Sequence, residues 1–424
     1  MYSPEPLKFL TPAEVPAIAA NFGTPTFVYD HASFEARYRY FASIPNAFGI
    51  TIRYSVKANP NRSILRIFDR LGAYFDVSSV WEARRVVAAG IPASKILMTA
   101  QETSPGWEDL CRQGMEYDAG SLTQLEAYGR VFPGTHVSLR INPGFGSGLV
   151  RKLTSGGSHS SFGLWVSQVD QAINLASQFG LTIGRLHFHI GSGHESTVLE
   201  QTVNLALQLC SRISTVQILN LGGGYRIAAL QSDPQYDHHA MGERIAARLR
   251  EFAGTHGREL KVELEPGTAV SALAGSLVTR VIDKVETNAL EDGYRFLKID
   301  GGLTELIRPS YYGVLHPLVT VRADGTLPVK GEEVIVSGHC CIAGDSLTPK
   351  PGNSEDIQAQ PLGLAVPGDF LVVERTGGYA ASMSVKNFNS YPEAAEVLRV
   401  APGRYTLIRS RQTLEQMTQN EIDL

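Results

Sequence analysis

Between residues 36 and 275 the chain alternates short β-branched runs with amphipathic stretches, and this alternation constrains its fold more than any other feature. The strand-like pieces are "GITIRYSV" (49–56), "AYFDVSS" (73–79), "KILMTA" (95–100), "HVSLRIN" (136–142), "RLHFHIG" (185–191), "VQILNLGGG" (216–224) and "LKVELEP" (260–266). Runs of this kind are expected where both faces of a strand are buried. Between them stand helical segments. "SVWEARRVVAAG" (79–90) opens on Ser79, carries apolar residues at helical spacing and ends in glycine; "SLTQLEAYGRV" (121–131) and "MGERIAARLREFAGTHG" (241–257) are similar. Seven or eight such units predict a parallel (β/α)8 barrel.

After about residue 275 the pattern changes. "LVTRVIDKVET", "YRFLKIDGG", "EEVIVSGHCC", "DFLVVERTG" and "AEVLRVAPGRYTLIRS" are strand-rich and separated by Gly, Pro and Asp turns. The expected division is a barrel over 36–275 and a second, mainly antiparallel β-domain over 276–424 and 1–35. Within those first residues, "TPTFVYD" (24–30) is a strand that either domain could claim. "GLVRKLTSGGSHSSFG" (148–163) is Gly/Ser-rich and too long for a simple βα connection, so it is expected to order over a substrate.

Charge and cysteine usage exclude several function classes. Asp and Glu number 42 against 38 Lys and Arg, so no basic field exists to hold nucleic acid or anionic lipid. No apolar run reaches membrane-spanning length, and "MYSPEPLKFLTPAEV" lacks the basic and apolar regions of a signal peptide. Cys111, Cys210, Cys340 and Cys341 show neither zinc spacing nor a disulfide framework, which suits a reducing cytoplasm. A soluble cytoplasmic protein is expected.

In a parallel barrel, functional groups gather at the carboxyl ends of the strands, and here those ends carry Lys57, Asp76, Arg140, His189, Gly222, Gly223, Gly224 and Glu265. Lys57 follows a buried strand, where an ammonium must reach solvent, find a partner or be used covalently as a Schiff base. "LGGGY" allows close backbone approach to an anion such as phosphate, or simply a tight turn; it matches neither the G-x-G-x-x-G nor the P-loop pattern. His187 and His189 share a strand face with His194 nearby, but no third ligand has convincing spacing, and no metal is expected. His238 and His239 stand at a helix start. Glu265, before a Pro-Gly turn, needs a partner that a protonated ring nitrogen would provide. "GHCCIAGD" brings Cys340, Cys341 and Asp345 together, in a turn of small residues or in a site. Tyr379 stands beside two glycines in "TGGYAASMS".

Taken in order, "YSVKAN", "FDVSS", "LRINPG", "HFHIGSG", "LNLGGGY", "EPG", C-x-x-x-D and "GGYAASMS-x-x-x-FNSYP" resemble the fold-type III pyridoxal-phosphate decarboxylases, the group of diaminopimelate and ornithine decarboxylases. "INPGFGSG", "HSSFG" and "FNSYPEAAEVL" are most similar to the diaminopimelate branch. The resemblance covers nearly the whole chain. It implies an alanine-racemase-like barrel with a β-domain, pyridoxal 5′-phosphate as cofactor, an amino-acid substrate and a homodimer with shared active sites. By the same resemblance Lys57 forms the Schiff base with the cofactor, and Asp76 and Arg140 support the lysine and the ring oxygen. His189 would lie on the pyridine ring, and Glu265 would keep its nitrogen protonated. Ser192, Gly222 to Gly224 and Tyr379 would hold the phosphate, with Gly267 also in the cofactor set. Cys341, from the second subunit, would deliver the proton that replaces carbon dioxide. Arg308 and Tyr312 match positions that grip a distal carboxylate, and Ile342, Asp345 and Tyr379 complete the substrate set.

Two positions depart from the family pattern. Thr268 stands where an arginine is common, and Ile342 where diaminopimelate enzymes have a glutamate and ornithine enzymes an aspartate to read the distal amine. The expected reaction is therefore a diaminopimelate decarboxylase-like decarboxylation. The alternative is decarboxylation of a carboxylated natural-product or siderophore intermediate without that amine. An amino-acid racemase is disfavoured by the cysteine motif, and a pyridoxal-phosphate carrier by the β-domain.

Overall fold

Eight parallel strands close on themselves in the computed structural model, which describes residues 5–193, 196–287 and 293–424. They are Ile50–Ser55, Tyr74–Val77, Ile96–Met98, Glu116–Ala119, His136–Asn142, Thr182–His187, Ile218–Asn220 and Lys261–Leu264. Each pairs in parallel with the next, and Lys261–Leu264 pairs with Ile50–Ser55 to complete the ring. The helices begin where short polar side chains can cap them. Ser79 accepts from the Glu82 amide at the start of Val80–Ala88, Ser121 from Gln124 before Leu122–Val131, and Asp237 from Ala240 before His238–His256. Each cap stabilises its helix by about 1 kcal/mol. Gly257 ends the last of these at φ 65°, a left-handed conformation natural to glycine.

The barrel wall also holds charges that periodicity could not reveal. Arg53 reaches Glu263 at 2.9 Å and Glu116 at 2.5 Å, while Arg185 reaches the same two carboxylates at 2.8 and 3.0 Å. Arg53, Arg185 and Glu263 are buried, so removing one partner would strand a charge and cost about 3–5 kcal/mol. The network ties four strands together.

The chain divides into two units. One contains the barrel, Glu35–Ile227 with Gln235–Val270; the other contains the residues up to Phe34, Ala228–Pro234 and Ser271–Leu424. The second unit is built on a sheet ordered Gln360–Gly363, Gly331–Ser337, Arg295–Ile299, Gly275–Glu286, Thr26–Asp30, Ala395–Ala401 and Arg404–Arg409. Phe370–Glu374 pairs with both Gly275–Glu286 and Leu318–Val321. Its pairings are antiparallel except Thr26–Asp30 with Ala395–Ala401 and Arg295–Ile299 with Gly331–Ser337. The strand that either domain could claim thus lies inside this sheet, with all five residues buried. Val28 packs with Val278, Val319, Val372 and Val397 in the unit's core. Among the described residues no helix is long and apolar enough to cross a membrane.

Candidate active site

Lys57 lies in the single 3-10 turn Val56–Ala58 that follows Ile50–Ser55. Its Nζ is 3.0 Å from Asp76 Oδ2 on the neighbouring strand and 3.4 Å from Ser78 Oγ. Asp76 is 1% exposed, and Ser55 Oγ donates to the same Oδ2 at 3.2 Å. Burial, then the nearby Glu265, push the Asp76 carboxyl up, while Lys57 pulls it back. The lysine side chain itself is 42% exposed. The amine is therefore held at one point and still reachable, as addition to a carbonyl requires.

Glu265 sits just beyond Lys261–Leu264, buried, with Oε1 accepting from Asn220 Nδ2 at 2.6 Å and Oε2 3.4 Å from His187 Nε2. His187 Nδ1 is in turn 2.6 Å from Asp118 Oδ2. Burial opposes a charge on His187, but Glu265 and Asp118 outweigh it and push the imidazole up to about 9. Burial alone would raise Glu265; the His187 cation and its hydrogen bond, then Lys57 and Asn220, hold it well below the usual carboxylate range. The result is a buried, ionised carboxylate. Asp118, His187 and Asn220 were not among the expected site residues, although a carboxylate inside "EYDA" was a visible anomaly for a buried strand.

His189 accepts the Gly223 N–H on Nδ1 at 3.1 Å, which leaves any single proton on Nε2. Burial, with Arg140, Lys57 and His187 nearby, pulls its pKa well below the ordinary value and keeps the ring neutral. Arg140 lies over the Phe162 ring at 4.7 Å. The triple glycine is required by packing. A Cβ on Gly222 would stand 2.6 Å from the Phe188 carbonyl oxygen, and one on Gly223 2.5 Å from that of Glu265. Its amides correct a sequence expectation. Gly222 N–H goes to Asn220 Oδ1 at 2.8 Å and Gly223 N–H to His189, so two of the three amides expected to face phosphate are already engaged. The Ser192 hydroxyl, by contrast, is buried without a partner among the described residues. Gly267 precedes the short helix Thr268–Ser271, and His194 lies outside the described residues. Desolvating a hydroxyl without a partner costs about 1–3 kcal/mol, so the orphaned Ser192 fits an anionic group bound at this end of the barrel.

The 148–163 loop is tied to this segment. Ser147 N donates to the Ile190 carbonyl at 2.9 Å and Ser192 N to that of Leu153 at 3.0 Å, while Asn142 Oδ1 takes the Gly144 and Gly157 amides at 3.1 and 2.8 Å. Its two basic residues, Arg151 and Lys152, are both exposed. An anion on Ser192 would stiffen the segment that anchors the loop. We therefore expect trypsin to cut after Arg151 or Lys152 more slowly in the cofactor-loaded protein than in the apo protein. Equal rates would count against a lid.

In the other unit, Cys341 is exposed and donates its N–H to Asn389 Oδ1 at 2.9 Å. Cys340 is buried, and burial followed by Asp345 pushes its thiol up to about 12. Asp345, expected among the substrate groups, is 3% exposed, and its two oxygens accept the Leu303 and Cys340 amides, each at 2.9 Å. It braces the cysteine loop. A C-x-x-x-D spacing shows a carboxylate but not that backbone amides consume it. Ile342 is 51% exposed. Arg308 is buried, with Cζ 5.9 Å from the Tyr379 ring and 6.0 Å from the Tyr312 ring. Burial pulls its pKa down, and no carboxylate among the described residues offsets this. Tyr379 follows Phe370–Glu374 at φ 56°, a left-handed conformation that is uncommon for a bulky residue and that marks functional turns.

The family described as pyridoxal-dependent decarboxylase, pyridoxal binding domain, matches residues 32–272. The diaminopimelate decarboxylase of Streptomyces coelicolor is 33% identical over 419 residues, covering 96% of this chain and 91% of that relative. The Escherichia coli K12 protein of the same name is 33% identical over 422 residues, 97% of each chain. A crystal structure of a diaminopimelate decarboxylase superposes with a TM-score of 0.88 at 31% identity, covering 96% of both chains. The lysine decarboxylase of Selenomonas ruminantium shares the fold at a TM-score of 0.73 and 21% identity, over 92% of this chain and 96% of that one.

Proposed function

The chain belongs to the pyridoxal-dependent decarboxylases, and from that premise we propose that it decarboxylates an amino acid of the diaminopimelate class, one with a second carboxylate at its far end. The observation that carries this reading is Lys57 Nζ at 3.0 Å from buried Asp76, at the same barrel end as the ionised Glu265. Pyridoxal 5′-phosphate, when bound, supplies an electron sink for the pair left as carbon dioxide departs. In our reading Lys57 is its covalent anchor, and Asp76 holds that amine in position. Glu265, kept ionised by His187 and Asn220, would hold the cofactor's ring nitrogen in its protonated form. His189, kept neutral, offers an uncharged aromatic face, and Arg140 supports the ring oxygen. Ser192, Gly224, Gly267 and Tyr379 belong to the cofactor set. Arg308, buried with its Cζ near the Tyr379 and Tyr312 rings, would take the distal carboxylate beside Tyr312. Cys341 would hold the proton on Sγ that the substrate carbon receives. We further propose a homodimer in which a second copy supplies that cysteine. A reducing cytoplasm suits the four free thiols.

One observation favours a second reading of the substrate. Ile342, half-exposed beside Cys341, cannot pair with an ammonium, and Thr268 adds no guanidinium. A distal amine desolvated there without a partner would cost about 1–3 kcal/mol. We therefore expect kcat/KM on meso-diaminopimelate to fall roughly tenfold or more below that of an acid- or amide-bearing analogue without the distal amine. Ile342→Glu with Thr268→Arg should shift preference back towards diaminopimelate. The deciding measurement is carbon dioxide and amine release across meso-diaminopimelate, lysine, ornithine and such analogues. High efficiency on meso-diaminopimelate, unmatched by any analogue, would show that other residues read the amine.

A further inference from the structure

Ser192 Oγ and Arg226 Nε are among the buried polar atoms without a partner among the described residues. They belong to segments that touch. Arg226 stands two residues after the triple glycine, and its Nη2 lies 3.0 Å from where a Cβ on Gly193 would be. Any side chain at 193 would therefore meet the guanidinium, and glycine leaves that approach open. Gly224, the last residue of the triple glycine, holds φ 99°. A hydroxyl and a guanidinium N–H thus stand without partners among the described residues in touching segments, and a desolvated donor is costly unless an acceptor arrives.

We infer that Arg226 joins Ser192, already read as a phosphate holder, in binding the phosphate of pyridoxal 5′-phosphate. A phosphate monoester carries about 1.5 to 2 negative charges near neutral pH and three acceptor oxygens. A guanidinium meets such a group through two parallel N–H bonds, which a lysine ammonium cannot reproduce. The inference rests on this barrel end being the cofactor site, and its test separates the two ideas by comparing pyridoxal 5′-phosphate with pyridoxal, which lacks the phosphate.

The apo protein would be titrated with each compound, following the absorbance of the bound form, for wild type, Arg226→Met, Arg226→Lys and Ser192→Ala. Arg226→Met should weaken pyridoxal 5′-phosphate binding roughly tenfold or more, the scale of a lost charge-assisted hydrogen-bond pair, and leave pyridoxal binding unchanged. Arg226→Lys should recover part of the loss, and Ser192→Ala should show a smaller, phosphate-specific loss. Inorganic phosphate should compete with the cofactor in the wild type and less well in Arg226→Met. Should Arg226→Met bind pyridoxal 5′-phosphate as tightly as the wild type, or lose both compounds equally, Arg226 has no phosphate role. A wild type that does not prefer pyridoxal 5′-phosphate to pyridoxal would instead overturn the assignment of the site itself.

Discussion

Lys57→Ala is expected to abolish the visible absorbance of the bound cofactor and to cut decarboxylation by at least about a thousandfold, because it removes both the covalent anchor and the positioned amine. The fold should survive the change. Lys57 is 42% exposed, so its truncation leaves no sizeable cavity, and its partner Asp76 can answer the lost cation by taking up a proton. Burial and Glu265 already push that carboxyl towards the neutral form, and Lys57 opposes them. Lys57→Arg separates charge from chemistry. It keeps a cation beside Asp76 but has no amine able to add to a carbonyl at neutral pH. Both variants should therefore be inactive and folded, with thermal midpoints close to the wild type. Normal turnover by either would remove the basis for the whole assignment.

How much of this was legible before the structure depends on whether a feature is local in the chain. The barrel was legible because each strand, being buried on both faces, announces itself as an apolar run, and because Ser79 and Ser121 mark helix starts within the same short segments. Thr26–Asp30 was not assignable, since a fully buried five-residue strand carries no signal of which sheet it enters. Its neighbours, Gly275–Glu286 and Ala395–Ala401, lie hundreds of residues away. The same distance hid the Asp118–His187–Glu265 relay, whose members come from three different strands. Lys57 and Glu265 were visible as charges in apolar surroundings, but the groups that set the ionisation of Glu265 were not. The glycines were visible as places of close approach, but sequence shows an N–H without showing who takes it, as Asn220 and His189 take those of Gly222 and Gly223. On the acceptor side, the sequence likewise showed the Asp345 carboxylate without the two amides it accepts.

The adjacent cysteines offer the second large effect. Cys341 is exposed, whereas Cys340 is buried with its thiol pushed up to about 12 and its amide held by Asp345. A group that gives a proton to substrate must be reachable, so the two should respond in opposite ways to the same substitution. Cys341→Ala is expected to retain cofactor and to lose roughly a hundredfold or more in turnover, the usual scale of a missing general acid. Some turnovers should yield an aldehyde in place of the amine, with the amino group left on the cofactor. Cys340→Ala should lose stability, since it empties a buried site, and keep the wild-type ratio of amine to aldehyde. The reverse pattern would mean that the acid is the other cysteine. Mixed dimers test where the acid comes from. If a second copy supplies Cys341, then Lys57→Ala and Cys341→Ala chains refolded together form one intact site in each mixed dimer. Random pairing then restores about a quarter of wild-type activity from two inactive parents. No recovery in a mixture shown to contain mixed dimers would place both residues of each site in one chain and end the shared-site proposal.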